Sequence, residues 1–341
     1  MGTERKMKKI NKSLVVITAL VIAAAIAVAA ICENRAEHTD QALDVDSSLV
    51  SERAYNILFI GTDREAGLAD VIMLVRLDLS RGRAVVMQIP RDTYAEYTDS
   101  SYKKLNGAYS ALGAQGACSF LSGALGISVD RYVVTGLDTV CNAVDAIGGV
   151  DVNVPCDMKY RDKTQGLYID LKAGLQHLDG KGAEQFLRFR SGYIEGDIDR
   201  MDAQKIFLAA AAKKVRNEFS LPMAYKLLEA AEGIETNFGT GELLNIALEA
   251  SRIDGENVII MTLPGAEARA ASGASYYSVS GQSTKNVLEQ YFDAQSDSFD
   301  KGHVFLNEKN AAFRNIYNSS AEYKTYTIED IAQNGIEIDL K

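Results

Sequence analysis

Residues 55–92 read YNILFIGTDREAGLADVIMLVRLDLSRGRAVVMQIPRD. They hold three apolar runs, Tyr55–Ile60, Val71–Leu79 and Ala84–Ile89, each short and rich in Val, Ile, Leu and Phe. Runs of this kind predict strands at the centre of a sheet whose two faces are both covered. The charges collect where the runs end. Asp63 and Arg64 follow the first run, Asp70 opens the second, and Arg91-Asp92 follow the third, where Pro90 stops the strand. The ends of sheet strands open into crevices, so these residues are placed to form a site.

Downstream, Leu105–Leu125 reads as a helix, and Tyr132–Thr135 and Val150–Val154 as strands around a helix at 137–147 that Gly148-Gly149 closes. Gly180–Phe186 starts another helix. Asp199–Phe219 is amphipathic, and Leu221–Ala231 and Glu242–Ser251 follow as helices, Val258–Leu263 as a strand and Thr284–Phe292 as a helix. The alternation predicts a layered α/β domain over 54–294. Residues 295–341 are polar except at Tyr323–Thr327 and Ile336–Leu340, and read as a small C-terminal appendage.

Upstream, Leu14–Ile31 (LVVITALVIAAAIAVAAI) carries no charge and spans roughly 27 Å as a helix, enough to cross hydrocarbon. The basic tail 1–13 predicts a cytoplasmic N-terminus, a single-pass helix in the cell membrane and an extracytoplasmic domain beyond a polar linker at 32–53. Two other readings of the run are a signal peptide cut at Ala27-Val28-Ala29 and a lipid anchor on Cys32.

The chain has 341 residues, 47% hydrophobic and 24% charged, which excludes a disordered or fibrous protein. Residues 1–13 hold five basic side chains against one acidic, and 14–31 hold none, so of the net −10 a charge of −14 sits on the remainder. That excludes a general nucleic-acid binder. Phosphate chemistry here needs a local arginine cluster or a metal. Three separated histidines exclude a His-metal site or a His triad, and Gly180-Lys181-Gly182 is no Walker motif. The four cysteines match no zinc spacing; they read as small buried hydrophobes, with a Cys118–Cys141 or Cys141–Cys156 bridge left open.

Arg188 and Arg190 flank Phe189, and in an extended segment both guanidinium groups point to one side. Arg200 and Gln204 share a helix face. Taken singly, a strand-end Asp is a turn former and a helical Arg a solvated charge. Taken together, the arginines and carboxylates fit a pyrophosphate gripped by Arg forks, with a divalent cation bridging to Asp oxygens.

The ordered segments NILFIGTDR, ADVIMLVRLD, IPRDTY, KLNGAYSALG, VDAIGGVDVNVP, GLQHLDGKGAEQFLRFR and GDIDRMDAQKIFL resemble the LytR-CpsA-Psr family over about residues 54–218. The likeness continues more loosely through IETNFGTGELLNIAL, TLPG and SGASYY to about 294. The resemblance implies a layered α/β/α domain with a central, mostly buried mixed sheet and an apolar groove for a polyprenyl chain. It implies a phosphotransferase that moves an anionic glycopolymer, such as teichoic acid or capsule, from an undecaprenyl-pyrophosphate carrier to a peptidoglycan acceptor. Under it, Asp63 and Asp70 match the aspartates that hold Mg²⁺ (or Mn²⁺). Arg64, Arg91, Arg188, Arg190, Arg200 and Gln204 match pyrophosphate-contacting positions. Asp70 or Asp92 takes the acceptor's hydroxyl proton, and Arg91 stabilises the transferring phosphate.

Two departures stand out. Leu68-Ala69-Asp70-Val71 replaces the usual Arg-Ser-Asp-Thr, and Ala203 occupies a position often held by Arg; either Arg64 or Arg76 substitutes, or the enzyme is slower, or it favours a different substrate. The competing classes are a non-catalytic sensor or scaffold that binds the lipid-linked glycan, and a hydrolase of the carrier. The acidic domain and a tail of 13 residues argue against a transcriptional regulator.

Overall fold

The computed structural model describes residues 54–341 other than 63–67, 98–102, 164–165, 219, 231–232, 240–241, 243–245, 247–248, 251–252, 296 and 300–302. The expected tail 1–13, membrane helix 14–31 and linker 32–53 lie outside the described residues, as do Asp63, Arg64 and parts of the helix expected at 242–251. Among the described residues no helix is long and apolar enough to cross a membrane.

The three apolar runs form β1 (Ala54–Thr62), β2 (Ala69–Asp78) and β3 (Arg83–Gln88). The chain continues through α1 (Ala108–Leu125), β4 (Arg131–Gly136), α2 (Leu137–Ala146), β5 (Val150–Val154), β6 (Met158–Asp162), β7 (Leu167–Leu171) and β8 (Gly174–Leu178). Next come α3 (Gly180–Arg188), α4 (Asp197–Glu218), α5 (Leu221–Ala230), β9 (Glu235–Thr236) and β10 (Val258–Thr262). It ends with β11 (Gly265–Arg269), β12 (Ser275–Val279), α6 (Gly281–Tyr291), α7 (Ala311–Tyr317), β13 (Thr325–Thr327) and α8 (Ile328–Asn334).

Seven strands in the order β13-β10-β3-β2-β1-β4-β9 form a mixed central sheet. β1 runs parallel to β4 and β3 to β10; the other neighbours are antiparallel. Alternate side chains of the central strands enter two different cores, which is why the runs are apolar throughout. Ile57, Met73, Val75, Leu77 and Val86 pack with α2, α3, α4 and α8 on one face. Leu58, Ile60, Ile72, Leu74, Val85 and Met87 pack with α1 and α6 on the other. The result is an α/β/α sandwich.

α1 is broken at Gly113 (φ 70°, ψ 175°) and ends at Gly126 (φ 67°), whose N–H returns to the Ser122 carbonyl. A Cβ at Gly126 would lie 2.4 Å from the Ser298 backbone, so conformation and space both require glycine there. No disulfide joins the described cysteines Cys118, Cys141 and Cys156, and burial pushes the Cys118 thiol up to about 12, leaving it inert.

Residues past 294 are not a separate appendage. β13 adds to the sheet edge beside β10, with Ile260 opposite Tyr326, and Ile328 and Ile331 of α8 enter the same core as α4. Phe299, Phe305 and Phe313 are each fully or almost fully buried. Their spacing in sequence is too irregular to show a period, so only the sheet edge and helix faces reveal what covers them.

Candidate functional site

The site forms where β2 begins, β3 ends and α4 starts. At the head of β2 the register slips: Gly61 faces Val71 but Thr62 faces Ala69, so Asp70 bulges out of the ladder. A bulge re-aims the extra residue's side chain and is a common device beside active sites. Gly61 allows it, since a Cβ there would meet Val71 Cβ at 3.0 Å. At the end of β3, Pro90 starts a turn closed by Thr93, whose N–H and hydroxyl both donate to the Pro90 carbonyl at 3.0 and 2.6 Å. The β12 strand braces that turn: Tyr277 N–H donates to the Asp92 carbonyl and Tyr94 N–H to the Tyr277 carbonyl, both at 2.9 Å. Arg91 is thereby held between two anchored residues.

Arg91 Nη1 donates to Asp70 Oδ1 at 2.6 Å, and its Nε lies 3.6 Å from Asp197 Oδ1. Asp197 opens α4, where the helix dipole favours a carboxylate. One turn on, Arg200 brings Nη2 to 2.9 Å from Asp197 Oδ1 and donates to the Asp70 carbonyl at 3.5 Å. Two arginines and two aspartates thus alternate in one cluster. Burial opposes the charge on Arg91, but Asp197, Asp70 and Asp92 together outweigh it and raise the guanidinium above its usual range. For Arg200, 7% exposed, burial wins and lowers it despite Asp197, with Arg91 and Arg190 adding repulsion.

The cluster lines a cleft of about 200 Å³ with Gln88, Met201 and Gln204. Several of its polar atoms are buried without a hydrogen-bond partner from the protein: both amide atoms of Gln88, Nε of Arg91 and Arg200, and both carboxylate oxygens of Asp197. Asp197 is ion-paired, but neither oxygen is met along an N–H direction. Gln88 is only 1% exposed. An unmet buried amide costs roughly 1–3 kcal/mol, so such a set is built to meet a polar ligand.

Among the sequence-derived candidates, Asp70, Arg91, Arg200 and Gln204 share this cleft. Asp92 lies beside it, paired with Lys104 at 2.9 Å, and Lys104 in turn sits 5.5 Å over the Tyr276 ring. Arg188 and Arg190 do not occupy one extended segment: Arg188 is the last residue of α3 and bonds Glu184 at 3.1 Å, while Phe189 turns extended. The two-residue alternation therefore does not set their directions. Arg190 is exposed, near enough for its charge to lower Arg200. Arg76 cannot substitute for a missing arginine. It lies six residues along β2 from Asp70, roughly 20 Å away, and bonds Asn56 at 3.2 Å and Asp293 at 2.5 Å. Ala203 is fully buried in the core, so an arginine there would not reach the cleft without rebuilding α4.

Asp197 and Gln88 were not singled out in the sequence. The signal for Gln88 was present, as one amide ending an apolar strand before Pro90; Asp197 was hidden among three aspartates at 197–202 and neighbouring turns.

On the opposite face of the sheet Leu58, Ile60, Ile72, Leu105, Tyr109 and Leu121 line a small apolar pocket. Ile72 borders both spaces. Residues of the 105–125 stretch form one side of it, whereas α4 borders the polar cleft.

The LytR_cpsA_psr family model matches residues 19–293. Polyisoprenyl-teichoic acid–peptidoglycan teichoic acid transferase TagV of Bacillus subtilis (strain 168) is 27% identical over 263 residues, covering 73% of this chain and 67% of TagV. The crystal structure of B. subtilis TagV superposes with a TM-score of 0.60 at 25% identity, over 73% of this chain and 98% of that one. Protein gbs0355 from Streptococcus agalactiae has the same fold, with a TM-score of 0.64 at 22% identity over 75% and 92% of the two chains.

Proposed function

The chain belongs to the LytR_cpsA_psr family, and from that premise we propose that it transfers an anionic glycopolymer from a polyprenyl-pyrophosphate carrier to peptidoglycan, forming a phosphodiester. The observation that carries the reading is the cleft itself: Arg91 and Arg200 converge with Asp70, Asp197 and the unpartnered Gln88 amide. Charged donors gathered around an unmet buried amide fit the diphosphate end of such a carrier. TagV, whose name describes transfer of teichoic acid to peptidoglycan, supports the same reading.

In the proposed reaction the acceptor hydroxyl oxygen attacks the phosphorus nearest the glycan. The bond from that phosphorus to the bridging oxygen breaks, and polyprenyl phosphate leaves. Arg91 and Arg200 offer charged donors to oxygens on which charge grows, acting by position and field, as phosphoryl transfer requires. Gln88 supplies a neutral donor and acceptor at the base of the cleft. The hydroxyl proton passes to a carboxylate. Asp70 keeps one oxygen outside its bond to Arg91, whereas Asp92 is held by Lys104 and serves to steady the turn.

Among the described residues no three acidic, His or Cys side chains lie close enough to hold a metal. A Mg²⁺ ion (or Mn²⁺) needs only one or two carboxylates when phosphate oxygens and waters complete its shell, so Asp70 with Asp63 is a fitting donor set. Such an ion would neutralise pyrophosphate charge when bound. We also propose that residues 14–31 anchor the chain in the membrane with this domain on its outer side, beside lipid-linked substrate.

The test is turnover of a polyprenyl-pyrophosphate glycan by the full chain with Mg²⁺ and peptidoglycan. Asp70→Ala and Arg91→Ala are each expected to lower the rate by about 10²-fold or more. Full activity in both sinks the assignment. Free glycan phosphate instead of peptidoglycan-linked product assigns hydrolysis, and binding without turnover assigns a sensor. Gln88→Leu is expected to hold or raise the melting temperature while weakening binding of inorganic pyrophosphate, because it removes an unmet buried amide that the ligand uses. Weaker folding with unchanged binding would contradict that role.

A further inference from the structure

The family match stops at residue 293, yet the chain beyond it returns to the site. After β13 and α8, Gly335 (φ 70°) redirects the backbone, Ile338 tucks into the core at 9% exposure, and Leu340 forms an antiparallel bridge with Tyr193. Ile194 N–H donates to the Asp339 carbonyl at 3.1 Å, Lys341 N–H to the Gly192 carbonyl at 3.0 Å, and Lys341 Nζ to the Ser191 carbonyl at 3.2 Å.

What this segment grips is the connection from α3 to α4, the stretch that carries Arg190 and delivers Asp197 and Arg200. The connection has other anchors. Phe189 and Tyr193 meet edge-on at 5.2 Å, Tyr193 N–H donates to the Arg190 carbonyl at 3.2 Å, and Glu195 N–H donates to Asp199 Oδ2 at 2.7 Å. The Tyr193 hydroxyl, though, has no protein partner, and the backbone groups of Gly192 and Ile194 are met by the C-terminal segment. A loop held on one side only samples more conformations, and each misplaced arginine weakens a charge-assisted grip on an anion.

We propose that residues 336–341 are a strap that positions the Arg190–Asp197 loop and so pre-organises the arginine cleft for a diphosphate anion; this rests on the functional reading above. The strap adds no ligand-contacting group of its own. It acts by removing motion from a loop whose end residues do the binding.

Two variants of the full chain test it: truncation after Gly335, and Lys341→Pro, which removes the Lys341 N–H donor while leaving Ile338 in place. In both, hydrogen exchange at the Ile194 amide is expected to speed up by about tenfold or more while exchange in β1–β3 is unchanged. Affinity for inorganic pyrophosphate is expected to fall several-fold, and to fall much less when the truncation is made in an Arg190→Ala background, since the two changes share one route. Unchanged Ile194 exchange overturns the strap. So does a binding loss of equal size with and without Arg190. If the unaltered chain binds no pyrophosphate, the functional reading fails, and Ile194 exchange still decides whether the segment restrains the loop.

Discussion

Asp197→Ala is expected to destabilise the protein by about 3–5 kcal/mol, because it strips a buried charge of its partner. Arg200 is 7% exposed, and Asp197 Oδ1 at 2.9 Å is its only described carboxylate within ion-pair distance. Without it, the guanidinium keeps a 3.5 Å contact to the Asp70 carbonyl and the repulsion of Arg91 and Arg190. Arginine does not shed its proton to escape this, so the structure must open to hydrate it. Turnover per folded molecule is expected to fall by more than 10²-fold as well, since Arg91 loses one of the two carboxylates that orient it. Urea unfolding and turnover, measured on the same samples, separate the two effects. A variant that unfolds within about 0.5 kcal/mol of the parent, a range typical of surface substitutions, would show that Asp197 does not support Arg200.

The second large effect lies one turn further along α4. Lys205 is 2% exposed, pairs with Asp202 and donates to Thr262 Oγ1 at 2.8 Å. Burial holds its ammonium below the usual lysine range, against the pull of Asp202. Asp202→Ala is expected to cost about 3–5 kcal/mol at neutral pH, by leaving an ammonium buried with one hydroxyl. Its pH dependence has a definite sign. With Asp202 gone the folded-state affinity of Lys205 for its proton drops further, while in the unfolded chain the lysine stays protonated to about pH 10. The unfolded state then binds more protons, so the stability of the variant relative to the parent recovers as pH rises from neutral toward about 10. Lys205→Met fills the same space without charge and is expected to be near neutral or stabilising, with no such recovery. A deficit in Asp202→Ala that does not change with pH would mean that Lys205 is already hydrated or neutral.

These two clusters show where sequence reading reaches and where it stops. The polar residues at the ends of the β strands were legible because apolar runs broken by Asp, Arg and Pro carry their own punctuation. Lys205 and Ala203 were not legible. On a helix rich in both alanine and charge, composition does not tell which face meets the sheet, and only packing against β3 and β10 makes one lysine buried and one alanine core. Asp70 was recognised as a candidate, but the bulge that turns it toward Arg91 is a property of the β1–β2 register.

The sequence by itself determined the layered α/β architecture, the central strands and the location of a charged site at their ends. It did so because these depend on local patterns: apolar run length, strand-ending prolines and charges, and helix period. The tertiary structure alone decided that Arg91 and Arg200 share Asp197, that Arg76 belongs to a different cluster roughly 20 Å off along β2, that Gln88 faces the cleft unpartnered, and that residues 336–341 close on the loop before α4. Each of these joins groups distant in the chain, through the register of strands and the rotation of a helix about its axis, and no short stretch of sequence encodes either.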